Sequence, residues 1–133
     1  MQTSNKKEHT KILFVDDDTD FLKSAKTCLK MQGNFDIELA FSADEAKKKM
    51  KHNRPDAIVC DVRMPLTNGF EFLKALRESG NNIPFIVFTV TDNKETALKA
   101  FNLGANGLVG KAGDPEVVFS TLKRYIEKAV SCQ

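Results

Sequence analysis

Five short apolar runs, each parted from the next by a stretch of helical period, restrict what this chain can fold into. The runs are Ile12-Leu13-Phe14-Val15, residues 35–40, Ala57-Ile58-Val59-Cys60, residues 83–88 and Gly107-Leu108-Val109. Most are too short for helices, and several are rich in β-branched and aromatic residues. Most also lack polar alternation, so they read as strands covered on both faces. Between them, Phe21, Leu22, Ala25, Cys28 and Leu29 form one helical stripe. Ser42, with Glu45 three residues on, predicts a capping box for a second helix carrying Ala46 and Met50. Phe70, Leu73 and Leu76 mark a third helix, and Ala97, Leu98 and Phe101 a fourth. The fifth has Asp114 as N-cap and Pro115 in its first turn, then Val117, Val118, Thr121, Leu122, Tyr125, Ile126 and Ala129. A strand–helix order repeated five times implies an α/β fold, with a parallel sheet joined by right-handed crossovers.

The chain has 133 residues, which fits one domain with a sizeable core. Residues 1–10 are polar and aperiodic and are expected to be a flexible tail. The domain then spans residues 11–130, with a short tail at 131–133. Lys and Arg number 20 against 18 Asp and Glu, a net charge of +2 that gives no bulk-charge case for direct nucleic-acid binding. No run approaches a membrane span, and the first residues lack a secretory apolar segment, so a cytoplasmic protein without membrane contact is expected. Cys28, Cys60 and Cys132 are widely spaced and odd in number, against a disulfide framework or a zinc site. Cys60 belongs in the core. Lys47-Lys48-Lys49-Met50-Lys51 reads as a solvated helix face.

Function in such sheets concentrates at the carboxyl ends of the strands. Asp16-Asp17-Asp18 follows the first strand and Asp61 the third; Thr89 ends the fourth, and Gly110-Lys111 ends the fifth. Two carboxylates ~4 Å apart repel by about 4 kcal/mol at an effective dielectric of ~20. One must stay protonated, or a cation must bind. Oxygen ligands with room for water favour Mg²⁺. A metal, the Lys111 ammonium and the Thr89 hydroxyl around one carboxylate suit a phosphoryl group, whose transfer needs positioning and charge neutralisation. This makes Asp61 the candidate nucleophile and Asp16 and Asp17 the candidate metal ligands. Asp18 reads as a helix N-cap.

The segments KILFVDDD (11–18), DAIVCDVRMPLTNGFEFL (56–73), IPFIVFT (83–89) and LGANGLVGK (103–111), in this order and spacing, resemble a response-regulator receiver domain of two-component signalling. The resemblance covers about residues 10–130. It implies a doubly wound, flavodoxin-like (βα)5 fold with strand order 2-1-3-4-5. It implies phosphorylation of Asp61, Mg²⁺ held by Asp16, Asp17, Asp61 and the backbone carbonyl of Arg63, and direct roles for Thr89 and Lys111. Met64-Pro65 and Gly69 match the turn after the third strand. The phosphodonor implied is a phosphohistidine on a sensor histidine kinase or a phosphotransfer protein. The downstream protein is not named by the residues. The resemblance also implies an output and possible homodimer face on the fourth helix, fifth strand and fifth helix, presenting residues such as Lys99, Lys123 and Tyr125. The domain fills the chain, so no output domain is expected within it, and any catalysis is expected to be limited to its own loading and loss.

Three positions depart from the family pattern. Ala112 stands where Pro usually follows the lysine in a cis peptide; a cis bond before a non-proline costs about 3 kcal/mol, which predicts a trans Lys111–Ala112 bond. Leu108 stands at the switch position usually held by Tyr or Phe, which predicts altered coupling between Thr89 and the surface. Val90 stands where a small residue is usual and could narrow access to the site. Arg63 and Thr91 flank it, two residues beyond Asp61 and Thr89. The alternative reading is a pseudo-receiver, the same fold used as a phosphorylation-independent interaction module. An aspartyl-nucleophile phosphatase fits poorly, since Asp20 stands where its motif needs Thr or Val. A flavodoxin fits worse, for want of a phosphate cradle after the first strand.

Overall fold

The computed structural model describes residues 9–63 and 68–131. Most of the N-terminal tail, Met64-Pro65 and Cys132 lie outside the described residues. Strands and helices alternate as β1 (Thr10–Val15), α1 (Thr19–Lys30), β2 (Phe35–Ala40), α2 (Ala43–His52), β3 (Ala57–Cys60), α3 (Gly69–Glu78), β4 (Phe85–Thr89), α4 (Lys94–Asn102), β5 (Gly107–Gly110) and α5 (Pro115–Ser131). The strands form one sheet in the order β2-β1-β3-β4-β5, every neighbouring pair parallel. The fold is the expected doubly wound one. β1 begins at Thr10, and α5 runs to Ser131.

Both faces of the sheet are covered, which is why its strands carry so little polar alternation. Ile12 and Phe14 of β1 point with Val59 and Phe88 toward α1 and α5, where Leu22, Leu29, Phe119 and Leu122 close one core. Leu13 and Val15 point the opposite way with Ile58, Cys60 and Val87, against Ala46, Phe72, Leu73 and Ala100 of α2, α3 and α4. No helix among the described residues is long and apolar enough to cross a membrane.

The caps follow the local chemistry. Asp18 Oδ1 accepts from Phe21 N at 3.0 Å and opens α1. Ser42 Oγ accepts from Glu45 N at 3.1 Å, but the Glu45 carboxylate reaches one residue further than a capping box requires and accepts from Phe41 N at 2.6 Å. Asp114 Oδ1 accepts from Glu116 N at 3.0 Å ahead of α5. The Arg77 guanidinium at the end of α3 donates to the Gly104 and Asn81 carbonyls and to Asn106 Oδ1, tying α3 to the turn between α4 and β5. Burial holds its pKa below the usual arginine value.

Three of the apolar stripes sit differently from expectation. In α4, Leu98 and Phe101 are 55% and 50% exposed, and Ala100 alone is fully buried. α4 lies over the edge of the sheet, and the small Ala100 makes the close approach, so the two large side chains turn outward. In α3, Phe72 is completely buried with its ring 5.8 Å from Phe85, whereas Phe70 is half-buried under the Lys99 ammonium. In α5, Val117 is exposed and Phe119 takes the buried place. Adjacent apolar residues leave the facing direction of a helix undecided by about one position, and the packing partner decides it.

Candidate active site

Strand register assembles the site. Val15 of β1 pairs with Cys60 of β3, so the next residues, Asp16 and Asp61, emerge side by side at the sheet's edge. Asp61 N donates to Val15 O at 3.1 Å, fixing that alignment. Thr89 pairs with Gly110, and Lys111 N donates to Thr89 O at 2.9 Å, which directs the lysine back across the strand ends.

Asp16 and Asp61 are 1% and 7% exposed, an expensive place for two carboxylates. Lys111 Nζ bridges them, 2.6 Å from Asp16 Oδ2 and 3.0 Å from Asp61 Oδ2. Their second oxygens accept backbone hydrogen bonds, Asp16 Oδ1 from Asp18 N at 3.0 Å and Asp61 Oδ1 from Arg63 N at 3.1 Å. Burial pushes the Asp16 carboxyl above its ordinary value, and the hydrogen bond from Lys111 only partly offsets this. For Lys111 burial works downward, but its hydrogen bonds to Asp16 and Asp61 together outweigh it and hold the ammonium above its ordinary value. The Cys60 thiol is completely buried, donates to the Asp61 carbonyl at 3.1 Å, and is pushed well up by burial, so it is an inert core thiol.

The remaining candidates are placed less tightly. Asp17 is exposed beside Asp16. Arg63 meets Asp61 through its backbone N–H, and its side chain faces solvent. Thr89 is buried, and its Oγ1 bonds within its own loop, accepting from Thr91 N at 3.2 Å with Thr91 Oγ1 at 3.4 Å. Among the described residues no group of three or more His, Cys, Asp or Glu side chains is drawn together as a metal cage. The expected crowd of carboxylates is here a carboxylate pair held by an ammonium. Leu108 is half-buried against the core on the α2–α3–α4 side, and Val90 is 59% exposed at the rim. The Lys111–Ala112 peptide is trans.

Sequence reasoning missed Asp92 and the aromatic residues under Lys111. A Cβ on Gly110 would collide with the Asp92 carboxylate, which packs against β5 beside the site. Phe21 and Phe88 place their ring centroids 4.4 and 5.9 Å from Lys111 Nζ. Helical and strand periodicity marked both as apolar, but no linear spacing joins them to a lysine so far along the chain.

Gly69 fixes the position of Asp61 from the other side. Its N–H donates to Val62 O at 3.2 Å, and a Cβ there would fall on the backbone of Asp61 and Val62. Gly69→Ala is expected to cost about 1–3 kcal/mol, as the loop carrying Asp61 must shift to admit a methyl. Urea unfolding midpoints of the two proteins check this.

Residues 12–123 match the family model described as response regulator receiver domain. The response regulator MprA of Mycobacterium sp. (strain KMS) is 31% identical over 118 residues, covering 89% of this chain and 51% of that protein. The chain thus spans about half the length of the curated relatives it matches. Among solved structures, the chemotaxis response regulator CheY4 of Vibrio cholerae superposes with a TM-score of 0.77 at 32% identity, covering 88% of this chain and 98% of that one. The receiver domain of Francisella response regulator 1452 superposes with a TM-score of 0.78 at 26% identity, covering 90% and 98%.

Proposed function

The chain belongs to the response regulator receiver domains of two-component signalling, and from that premise we propose that it is a phosphorylation switch loaded on Asp61. The observation that carries this reading is the state of the Asp61 carboxylate. It sits almost buried at a strand end, with one oxygen held by a backbone N–H and the other by a lysine ammonium. A carboxylate so oriented can attack phosphorus in line. One Asp61 oxygen forms the O–P bond while the P–N bond of a donor phosphohistidine breaks, its electron pair returning to the imidazole. Lys111 then follows the charge, turning its hydrogen bonds to phosphoryl oxygens. Thr89, with a hydroxyl bound only within its loop, is the group able to turn inward and bond a phosphoryl oxygen. Leu108 follows Thr89 as the switch residue on β5.

The donor set suits a hard divalent cation, being all oxygen: the carboxylates of Asp16, Asp17 and Asp61 and the carbonyl of Arg63. Mg²⁺ held there would supply charge neutralisation for the phosphoryl oxygens. Lys111 would then release Asp16 to the metal and keep Asp61. The donor is a sensor histidine kinase or phosphotransfer protein, which places the reaction in the cytoplasm. Output runs through α4, β5 and α5. The outward Leu98 and Phe101 of α4, with Tyr125 against β5 and Lys99 beside them, offer an apolar face edged with positive charge to a downstream protein or a second copy, whereas Lys123, expected on this face, lies instead beside Gly33 between α1 and β2.

Intact-mass measurement with acetyl phosphate tests the reading. With Mg²⁺ present the protein is expected to gain one phosphoryl mass, and with EDTA in its place the gain is expected to vanish. No gain in magnesium would favour the pseudo-receiver instead.

A further inference from the structure

Lys111 is held by more than its two carboxylates. An ammonium has three donors, and Asp16 and Asp61 take two of them. Beneath it lies the Phe21 ring, with its centroid 4.4 Å from Nζ, within the range of a cation–π contact. Phe21 is only partly buried, unlike Leu22, Ala25 and Leu29 on the same helix, and packs at the edge of the core where Lys111 Nζ lies over its ring.

Phe21 is also fixed from two sides. Its ring rests 5.9 Å from Phe88, which itself contacts Phe14 at 5.8 Å and Phe119 at 5.7 Å. Its backbone N–H donates to Asp18 Oδ1 at 3.0 Å, and Asp18 N donates to Asp16 Oδ1 at 3.0 Å. The contacts close a circuit: Asp16 to Asp18, Asp18 to Phe21, Phe21 to Lys111, and Lys111 back to Asp16.

We propose that Phe21 is a positioning residue for the phosphoryl transfer, its ring face seating the Lys111 ammonium against Asp61. Resting on the Asp61 reading, this seat keeps the cation at the phosphoacceptor when Asp16 turns to a metal. A ring bears a negative face, whereas an aliphatic side chain of similar size fills the space and offers the ammonium nothing.

The test compares Phe21→Leu and Phe21→Tyr with the wild type in two readouts. The first is the loading rate with acetyl phosphate and Mg²⁺. The second is the proton shift of the Lys111 ε-methylene, which the ring current of a seated aromatic moves upfield whether or not the protein is phosphorylated. Phe21→Leu is expected to load roughly threefold to tenfold more slowly and to lose most of the upfield shift, the more distant Phe88 ring leaving a remainder, while Phe21→Tyr keeps both near wild type. An unchanged shift in Phe21→Leu overturns the seat. A lost shift with an unchanged rate, or equal slowing in both variants, overturns the positioning role. If the wild type itself fails to load, the Asp61 reading falls, and the shift alone decides whether Phe21 seats the lysine.

Discussion

Lys111→Met is expected to slow loading of Asp61 by about 10²–10³-fold, the usual loss when one charge-stabilising donor is removed from a reacting oxygen. The same substitution leaves Asp16 and Asp61 facing each other without their cation. Breaking a buried pair by removing one partner costs about 3–5 kcal/mol, and both carboxylates are nearly buried. The sign of the pH dependence follows from Asp16. Burial already raises its folded pKa above 3.8, and loss of the lysine raises it further. A carboxyl raised in the folded state binds its proton more tightly there, so stability falls as pH rises from 3.8 through the folded value. The deficit of Lys111→Met should therefore be largest near neutral pH and shrink on acidification in metal-free buffer. In the wild type the raised Lys111 pKa adds stability that is complete below 10.5 and lost as pH rises above it. Urea melts of both proteins across this range check the account. A deficit that grows on acidification would contradict it.

Phe88→Ala is expected to cost about 3–5 kcal/mol. Phe88 is 1% exposed, and its ring meets those of Phe14, Phe21 and Phe119 at once, so truncation opens a cavity that three elements border. That is a large part of the 5–15 kcal/mol typical of a whole domain. The urea midpoint should fall while the slope stays constant. Phe88→Leu, which keeps most of the volume, should cost about 1.5 kcal/mol or less.

Most of the fold was legible because strand and helix periods alternate so regularly. The short runs at 12–15, 35–40 and 57–60 leave only a parallel sheet as an economical solution, and Asp18, Ser42 and Asp114 announce helix starts by chemistry confined to one turn. The order of strands in the sheet was not legible from periodicity. It came from the likeness of motifs such as DAIVCDVRMP to a known family. The outward turn of Leu98 and Phe101 was illegible for a different reason. A stripe records which residues are apolar, while the small Ala100, at the edge of the sheet, decided which side of α4 comes close.

The candidate site divides in the same way. Asp16, Asp61 and Lys111 each follow the last residue of a strand, and parallel register brings strand ends together, so their meeting could be expected from order alone. The bridge of Lys111 across both carboxylates depends on distances that spacing does not contain. So does the contact between Lys111 and Phe21, residues brought together only where the Phe21 ring of α1 reaches Phe88 of β4. Thr89 lay where expected, but its hydroxyl serves its own loop, a choice made by the neighbouring Thr91 N–H.

The central claim is that Asp61 becomes an acyl phosphate, and borohydride reads this directly by reducing an aspartyl phosphate to homoserine. After incubation with acetyl phosphate and Mg²⁺, peptide mass mapping should find homoserine at position 61 in the wild type and nowhere in Asp61→Asn. Homoserine at Asp16, Asp17 or Asp18 instead, or at no position at all, would contradict the claim.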